Sequence, residues 1–410
     1  MKIEVFGVVA ILLIAFMFSE RKKSINFRIV ASAFALQAGI AFFVLRTPLG
    51  KQVLTTVSMG VQAIMNHANT GIEFLFGELS GQNLGFIFAI KVLPVIIFVS
   101  SLMAALYYLR IMQYVVLFFG GILQKIIGTS RVESLCAAAN IFVGPIEAPL
   151  VVRPYLDALN RPQMFTVMAV GLSSVAGAIM LGYASIGIRL DYLVAAAFMS
   201  APGGLLMAKM IIPETKEELE KSRSMDALGV TSFDSQHRPV NVIEAAADGA
   251  ISGVILAANI GGMLIAFVAL ISLLNGIFSF FGGLVGHPEF TLDYILGLTF
   301  SPLMLLLGIP WDEAIRAGNL VGQKTILNEF IAFVNLAAIK DTLSEHTQAV
   351  LTFALCGFAN LNALAIVFGG LGAMIPVRKS EIAQLGMKAV LAAGLSNLMS
   401  AALAGVWLAS

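Results

Sequence analysis

Apolar residues occur along this chain in long runs that short polar stretches separate. Several runs reach the length of about 20 residues that a helix needs to cross a bilayer. The pattern predicts eight spans: Val5 to Phe18, Phe27 to Leu45, Leu84 to Leu109, Gln163 to Ile186, Leu190 to Ile212, Val242 to Phe281, Ala349 to Met374 and Ile382 to Leu408. The segment Leu49 to Leu79 instead mixes apolar with polar positions, which predicts an amphipathic helix that lies along the membrane interface.

Composition and charge indicate the same class of protein. Of the 410 residues, 59% are hydrophobic and 12% are charged, whereas a soluble protein carries about a quarter charged residues. The chain is therefore predicted to be a multi-pass protein of the cell membrane, which in a bacterium is the inner membrane. Its net charge of +1 gives no electrostatic reason to expect a nucleic-acid partner. Cys136 and Cys356 each stand alone in an apolar segment, so no disulfide or cysteine metal site is predicted.

Basic residues indicate how the chain is oriented. Arg21 to Lys23 and Arg28 follow the first span rather than precede it, and cytoplasmic loops are the ones enriched in such residues. The N-terminus is therefore predicted to lie outside. By the same topology, Arg378, Lys379 and the long polar loop Pro213 to Pro239 lie on the cytoplasmic side.

Two stretches place glycine and charged residues inside otherwise apolar sequence, namely Ala138 to Leu150 and Gly318 to Phe330. Lipid tolerates neither an open backbone nor a bare carboxylate, so each stretch predicts a re-entrant helical hairpin at which a solute binds. Three predicted spans separate the two stretches, so the hairpins would enter the membrane from opposite faces. This is the inverted-repeat plan of secondary transporters.

The repeat extends to single residues. The first half has Glu133, Asn140, Gly144 and Glu147 in this order, and the second half has Glu313, Asn319, Gly322 and Glu329. The span after each hairpin is interrupted by small or polar residues: Gly171, Ser173, Ser174 and Gly177 in the first half, and Gly357, Asn360, Asn362, Gly369, Gly370 and Gly372 in the second. Close helix packing alone can explain any single small residue. Where a helix unwinds, however, its carbonyl oxygens can bind a small cation.

Together these residues resemble the concentrative nucleoside transporters. The resemblance covers essentially the full length and is carried by EAPLVVRPYL (Glu147 to Leu156), LNEF (Leu327 to Phe330) and CGFAN (Cys356 to Asn360). It implies an all-α polytopic membrane protein with eight transmembrane helices, two re-entrant helical hairpins of opposite orientation and one interfacial amphipathic helix. It also implies cation-driven uptake of nucleosides by a homotrimer in which a mobile transport domain moves past a fixed scaffold.

The chain divides accordingly into scaffold and transport parts. Residues 1–128 are predicted as scaffold, with helices 1–3 and the interfacial helix, and residues 129–212 as transport part, with the first hairpin and helices 4 and 5. Residues 213–241 form the cytoplasmic loop and residues 242–290 the sixth, scaffold helix. Residues 291–410 complete the transport part with the second hairpin and helices 7 and 8.

The resemblance assigns the substrate site to the tip of the first hairpin, to the second hairpin and to the interrupted seventh helix. The residues are Gly144, Pro145, Ile146, Glu147, Glu329, Phe358, Asn360, Asn362 and Ala363. A ribose presents hydroxyl donors, which the Glu329 carboxylate and the Asn360 amide can accept. A structural ion pair of Glu147 with Arg153 or Lys324 is the alternative interpretation.

The same resemblance assigns a sodium site to Asn140, Val143, Ser174 and Val175. An amide oxygen, a hydroxyl and backbone carbonyls suit sodium, which is a hard cation that prefers oxygen. Some bacterial members of the family use protons and have different residues at these positions, so sodium coupling is predicted and proton coupling is the alternative. No resident cofactor is expected. The expected partners are a nucleoside, sodium, the lipid bilayer and further copies of the chain in a homotrimer.

Two positions depart from the family pattern. The family has Gly-Gln-Thr-Glu at the first tip, where this chain has Pro145 and Ile146 in the middle, and it has a serine pair where this chain has Asn362 and Ala363. A site with fewer hydrogen-bonding groups rejects wrong ligands less strongly, which predicts an altered or broader base preference. A nucleobase or another small polar metabolite is the alternative cargo. An intramembrane enzyme is disfavoured because no nucleophile stands with a base, and a channel because no filter sequence occurs.

Overall fold

The computed structural model describes residues 3–81, 87–226, 239–284, 286–287 and 289–408. It is 84% helix, and no residue in these ranges lies in a strand. In chain order the helices are α1 (Ile3–Met17), α2 (Phe27–Arg46), α3 (Pro48–Phe76), α4 (Phe88–Lys91), α5 (Leu93–Tyr108), α6 (Ile111–Ile127), α7 (Arg131–Ala139), α8 (Glu147–Leu150), α9 (Arg161–Ser173), α10 (Gly177–Ser185), α11 (Leu190–Ile211), α12 (Lys216–Asp226), α13 (Val242–Leu284), α14 (Leu292–Leu306), α15 (Trp311–Ile326), α16 (Glu329–Ile339), α17 (Glu345–Leu355), α18 (Asn362–Met374) and α19 (Lys379–Leu408).

Six helical segments in the described ranges are long and apolar enough to cross a membrane: Phe27–Arg46, Phe88–Tyr108, Arg161–Ser185, Leu190–Ile211, Val242–Leu284 and Pro376–Leu408. Each coincides with one predicted span. The first predicted span forms the 15-residue α1, and the seventh is divided between α17 and α18. The beginning of the predicted third span, residues 84–86, and residues 227–238 of the polar loop lie outside the described ranges. The all-α membrane fold is confirmed, while the number of crossings stays a prediction.

The segment predicted to be amphipathic is one helix of 29 residues, α3. It begins with Pro48 at its first turn and with Thr47 as N-cap, whose hydroxyl accepts a hydrogen bond from Gly50 N. It ends at Phe76, and its C-cap Gly77 has a φ of +53°, a left-handed conformation that favours glycine. Its helical conformation agrees with the prediction, and its place at the interface stays a prediction.

The packing of the helices repeats between the two halves. Helix α6 packs on α7 as α14 packs on α15, and α7 contacts α9 as α15 contacts α17. Helix α9 packs on α11 as α17 packs on α19. The chain bends by 116° between α14 and α15, so α15 runs back along α14. The duplicated order that the sequence predicts is therefore present in three dimensions.

Helix α5 contacts both α13 and α3. Helix α5 packs along α13 at two glycines, and a Cβ on Gly253 would lie 2.7 Å from the Cα of Ile97. Helix α3 packs against α5 and against α2. Helices α1 and α2 also pack against α19 and α11. The predicted division into scaffold and transport parts is untested by these contacts alone.

One end of the molecule is tied together by charged residues. The Glu20 carboxylate accepts hydrogen bonds from Arg161 at 2.5 Å and from Lys388 at 2.6 Å, and Arg161 followed by Lys388 lowers the pKa of Glu20. Arg378 donates a hydrogen bond to the carbonyl of Leu159 at 2.6 Å. Leu159 is two residues before Arg161 in the sequence. The two basic segments that were predicted to share one side of the membrane therefore lie at the same end.

Candidate functional site

The first candidate tip is the segment that connects α7 to α8. The carboxylate of Glu147 lies close to Gly144, since a Cβ on Gly144 would be 2.6 Å from its Oε2. A hydrogen bond from Ala148 N to Gly144 O at 3.0 Å closes the returning turn. Another bond, from Gly177 N to Phe142 O at 3.0 Å, joins the tip to the start of α10. The tip is thus held against the interrupted helix that follows it.

The two apolar residues of this tip, Pro145 and Ile146, pack against interrupted helices. Pro145 lies 3.6 Å from the position that a Cβ on Gly171 would take, in α9. Ile146 Cγ1 lies 2.7 Å from the equivalent position at Gly370, in α18. The two residues that depart from the family pattern therefore make apolar contacts at a glycine of α9 and a glycine of α18.

Asn140 lies at the end of α7, where it is 2% exposed. Its Nδ2 donates to the carbonyl of Val170 at 2.6 Å. Its Oδ1 is also buried and accepts no hydrogen bond from any residue that the structure describes. An unsatisfied buried acceptor costs on the order of 1–3 kcal/mol, and a bound cation removes this cost. The donor set at this position fits sodium.

The three other predicted ion ligands, Val143, Ser174 and Val175, are buried. Ser174 is the C-cap of α9, directly after its last residue. Its carbonyl accepts a hydrogen bond from Phe358 N at 3.2 Å. This bond directly joins the break between α9 and α10 to the break between α17 and α18, so the predicted ion residues contact the predicted substrate residues.

Glu329 is the first residue of α16 and is 4% exposed. The N-cap Asn328 fixes this helix start, because its side chain accepts a hydrogen bond from Ile331 N at 2.9 Å. The Glu329 carboxylate accepts hydrogen bonds from Tyr183 OH at 3.0 Å and from Asn360 Nδ2 at 2.8 Å. A buried carboxylate with two fixed donors retains further acceptor capacity for ligand hydroxyls.

The predicted residues of the second break have different neighbours. The Oδ1 of Asn360 accepts a hydrogen bond from Ala363 N at 2.7 Å, which fixes the start of α18. Ala363 is fully buried. Asn362 faces α13, where its Nδ2 contacts Met263 Sδ at 3.3 Å. Asn360 therefore contacts Glu329, whereas Asn362 contacts α13.

Glu147 is not part of the Glu329 cluster. Its residue is exposed, and in the described ranges it forms no ion pair with Arg153 or Lys324. Lys324 is instead bound to Ala354 O at 2.7 Å and to Asn397 Oδ1 at 2.7 Å. The alternative interpretation of Glu147 as half of an ion pair is therefore unsupported.

Sequence reasoning missed two buried polar residues of this region, Tyr183 and Asn397. It also missed the hydrogen-bond partners of the buried Lys324. Tyr183 is the donor to Glu329. Asn397 donates to Ser173 O at 2.7 Å and to Cys356 O at 2.9 Å. Each is a polar side chain inside an apolar span, which is the signal that could have singled it out.

The arrangement can bind two kinds of ligand. The ends of two interrupted helices and the Asn140 oxygen offer uncharged oxygen atoms for a small hard cation. Glu329 and Asn360 offer acceptors for hydroxyl groups. In the described ranges no group of three His, Cys, Asp or Glu side chains is placed to hold a metal ion.

A membrane fold with two non-helical tips packed against two interrupted helices is that of a secondary transporter. The models of the Na+ dependent nucleoside transporter N-terminus and C-terminus match residues 6–79 and 192–405, and a nucleoside recognition model matches residues 89–190. The chain therefore belongs to the concentrative nucleoside transporter family. It is a multi-pass membrane transporter and not an enzyme.

Relatives and solved structures agree. The nucleoside permease NupC of Helicobacter pylori is 45% identical over 98% of this chain and 97% of its own length. Human solute carrier family 28 member 3 is 35% identical over 98% of this chain and 59% of its own length. The structure of CNTnw in an inward-facing substrate-bound state has a TM-score of 0.92 at 45% identity and covers 99% of this chain and 97% of that chain. A variant of CNTnw in an outward-facing state has a TM-score of 0.95 at the same identity, with 99% of this chain and 98% of that chain covered.

Proposed function

We propose that this protein takes up nucleosides together with sodium. The observation that carries the proposal is the hydrogen bond between Phe358 N and Ser174 O at 3.2 Å. It joins the break that contains the candidate ion ligand to the break that contains Asn360, the partner of Glu329. Binding at one break therefore acts on the backbone of the other.

The nucleoside binds through its ribose at Glu329 and Asn360. Both side chains are held by protein hydrogen bonds, so they are preorganised for the sugar hydroxyls. The base points toward the first tip, at Gly144 to Glu147. Because Pro145 and Ile146 offer the base no side-chain hydrogen bond, the preference among bases is altered or broadened.

Sodium binds to the side chains of Asn140 and Ser174, with backbone carbonyls of Val143 and Val175 among its ligands. The unpaired Oδ1 of Asn140 supports this assignment. Without the ion, this buried oxygen is unsatisfied, and moving it through the low-dielectric membrane is unfavourable. Loading with sodium removes that penalty, which couples ion binding to movement.

The movement is of the elevator type, in a homotrimer. The frame consists of the predicted scaffold, residues 1–128 and 242–290, in which α2 packs on α3, α3 on α5 and α5 along α13. Residues 129–212 and 291–410 form the moving part, in which α9, α11, α17 and α19 pack together. Inward-facing and outward-facing states of CNTnw support alternating access for this fold.

Purified protein in proteoliposomes tests the proposal. Radiolabelled uridine, adenosine and pseudouridine, with uracil as nucleobase control, are offered in sodium or choline buffer. We expect sodium-dependent accumulation of more than one nucleoside and none of uracil. Accumulation driven by a pH gradient without sodium would instead establish proton coupling, and strict uridine transport would contradict the broadened preference.

Asn140→Ala tests the ion site in the same assay. The substitution removes the amide oxygen but leaves the Glu329 cluster unchanged. We expect the sodium concentration for half-maximal uptake to rise by about tenfold, the equivalent of about 1.4 kcal/mol. An unchanged sodium dependence would exclude Asn140 as a ligand.

A further inference from the structure

Lys324 makes in the second half the contact that Asn140 makes in the first. Asn140 follows the last turn of α7, and its Nδ2 donates to Val170 O, near the end of α9, at 2.6 Å. Lys324 lies in the last turn of α15, and its Nζ donates to Ala354 O, near the end of α17, at 2.7 Å. In both halves, a hairpin side chain binds the last turn of the interrupted helix.

The sequence repeat pairs Asn140 with a different residue, Asn319. That residue lies within α15, and its side chain accepts a hydrogen bond from Gln323 Nε2 at 3.3 Å. It makes no contact of the kind described for Asn140. The structural counterpart of Asn140 is therefore Lys324, and a neutral amide in one half corresponds to an ammonium group in the other.

The surroundings of Lys324 suit a cation. The carbonyls at a helix C-terminus lack intrahelical donors and carry partial negative charge. Lys324 is 3% exposed. Its ammonium group donates to Ala354 O and to Asn397 Oδ1. Asn397 is held with its oxygen toward Lys324, because its Nδ2 donates to Ser173 O and Cys356 O. All these acceptors are uncharged oxygens, as in the candidate sodium site.

Charge differs between the halves in a complementary way. In the second half the buried ammonium group of Lys324 carries a positive charge among uncharged oxygen partners. In the first half the corresponding side chain, Asn140, is uncharged, and its Oδ1 accepts no hydrogen bond from any described residue. The first half can therefore accept a cation at this position, whereas the second half already holds one.

We propose that the Lys324 ammonium group is a tethered cation that takes, in the second half, the position that sodium takes in the first. The protein consequently moves one sodium ion with each nucleoside, because the second half has no need of an ion. This proposal rests on the proposed function, and it adds the ion stoichiometry and the residue that sets it.

The wild-type protein provides the first test. Charge and nucleoside entering proteoliposomes are measured together under a fixed sodium gradient and membrane potential. The expected ratio is about one positive charge per nucleoside, with a Hill coefficient for sodium of about one. Two charges per nucleoside would overturn the inference while leaving sodium-coupled nucleoside transport intact. Uptake without sodium would overturn the proposed function itself.

Lys324→Asn gives the second half the same side chain as the first. The inference predicts that a second sodium ion is then required, so the Hill coefficient rises toward about two and the charge per nucleoside doubles. Lys340→Asn is the matched control, in the same hairpin region but with an exposed side-chain contact to Gly187 O, and should retain the wild-type ratio. A Lys324→Asn protein that transports with the wild-type ratio would refute the tethered-cation role.

Asn140→Lys is the reciprocal variant, and it decides the question if Lys324→Asn does not fold. It places an ammonium group in the first half. Nucleoside binding to the purified protein should then no longer depend on sodium, whereas the wild-type affinity falls at least tenfold when choline replaces sodium. Binding that still requires sodium in Asn140→Lys would contradict the equivalence of the two positions.

Discussion

At the scale of residues, one carboxylate connects three parts of the chain. Glu329 begins α16, and it accepts hydrogen bonds from Tyr183 on α10 and from Asn360 in the second break. Tyr183 is itself fixed by stacking on Phe333, with ring centroids 4.2 Å apart. The acceptor is therefore held in one orientation by rigid neighbours, as a binding site requires.

Glu329→Gln is expected to weaken uptake strongly without preventing membrane insertion. The amide keeps the shape of the carboxylate, but it brings a donor toward the donors of Tyr183 and Asn360. A hydrogen bond to a charged group contributes about 1.5–3 kcal/mol, so the KM for nucleosides should rise roughly tenfold to hundredfold. Glu345→Gln, at the exposed start of α17, is the matched control in the same uptake assay. Near-normal uptake by Glu329→Gln would remove this residue from the site.

Sequence could identify some of these residues and not others. Glu329 and Asn360 stand in recognisable motifs, and their pairing is present in the structure. Tyr183 could not be assigned because its partner lies 146 residues further along the chain. The contact between Lys324 and Asn397 spans 73 residues. Such contacts depend on how the helices pack, which neither hydropathy nor local motifs determine.

At the scale of elements, a single side chain donates hydrogen bonds to the ends of both interrupted helices. Asn397 of α19 donates to Ser173 O at the end of α9 and to Cys356 O after α17.

Long apolar runs predicted the spans, but the helix α6 was not predicted as a separate element, because its sequence continues the apolar character of the preceding span. The breaks were predicted from glycine and polar residues, whereas the side chain that stabilises them comes from a different span.

Gly357→Ala should disrupt this shared support. A Cβ at Gly357 would lie 2.3 Å from Asn397 Oδ1, so Asn397 would have to leave its buried partners at a cost of about 1–3 kcal/mol per unsatisfied group. We expect a lower thermal stability in detergent and weaker binding of both sodium and nucleoside. Gly369→Ala is the control, because a Cβ there meets no atom within 4 Å. Equal melting temperatures for the two variants would show that the Asn397 position is adaptable.

At the scale of the whole molecule, the two halves share one core, in which α9, α11, α17 and α19 pack together. Around this core, α5 contacts α10, α13 contacts α14, and α3 contacts α2 and α11. Sequence predicted the duplicated halves, because the order of apolar and broken segments repeats. It could not show that α1 and α2 pack against α11 and α19, because an apolar span has the same composition whichever helices it contacts.

Movement of the proposed transport part past the proposed frame can be tested with a cross-link. A Cβ at Gly182 of α10 would lie 3.4 Å from Val92 Cγ1 at the start of α5, which is close enough for two thiols to be bridged. Val92→Cys with Gly182→Cys, bridged by mercuric ion, should lose uptake but retain nucleoside binding, and excess thiol should restore uptake.

The control pair is Leu93→Cys with Gly261→Cys, which joins α5 to α13 within the frame. A Cβ at Gly261 would lie 3.3 Å from Leu93 Cδ1, and this double variant should transport when bridged. The single-cysteine variants control for reaction of the native thiols. If the bridged α5 to α10 pair transports at the wild-type rate, α10 does not move past α5, and the elevator mechanism does not apply to this protein.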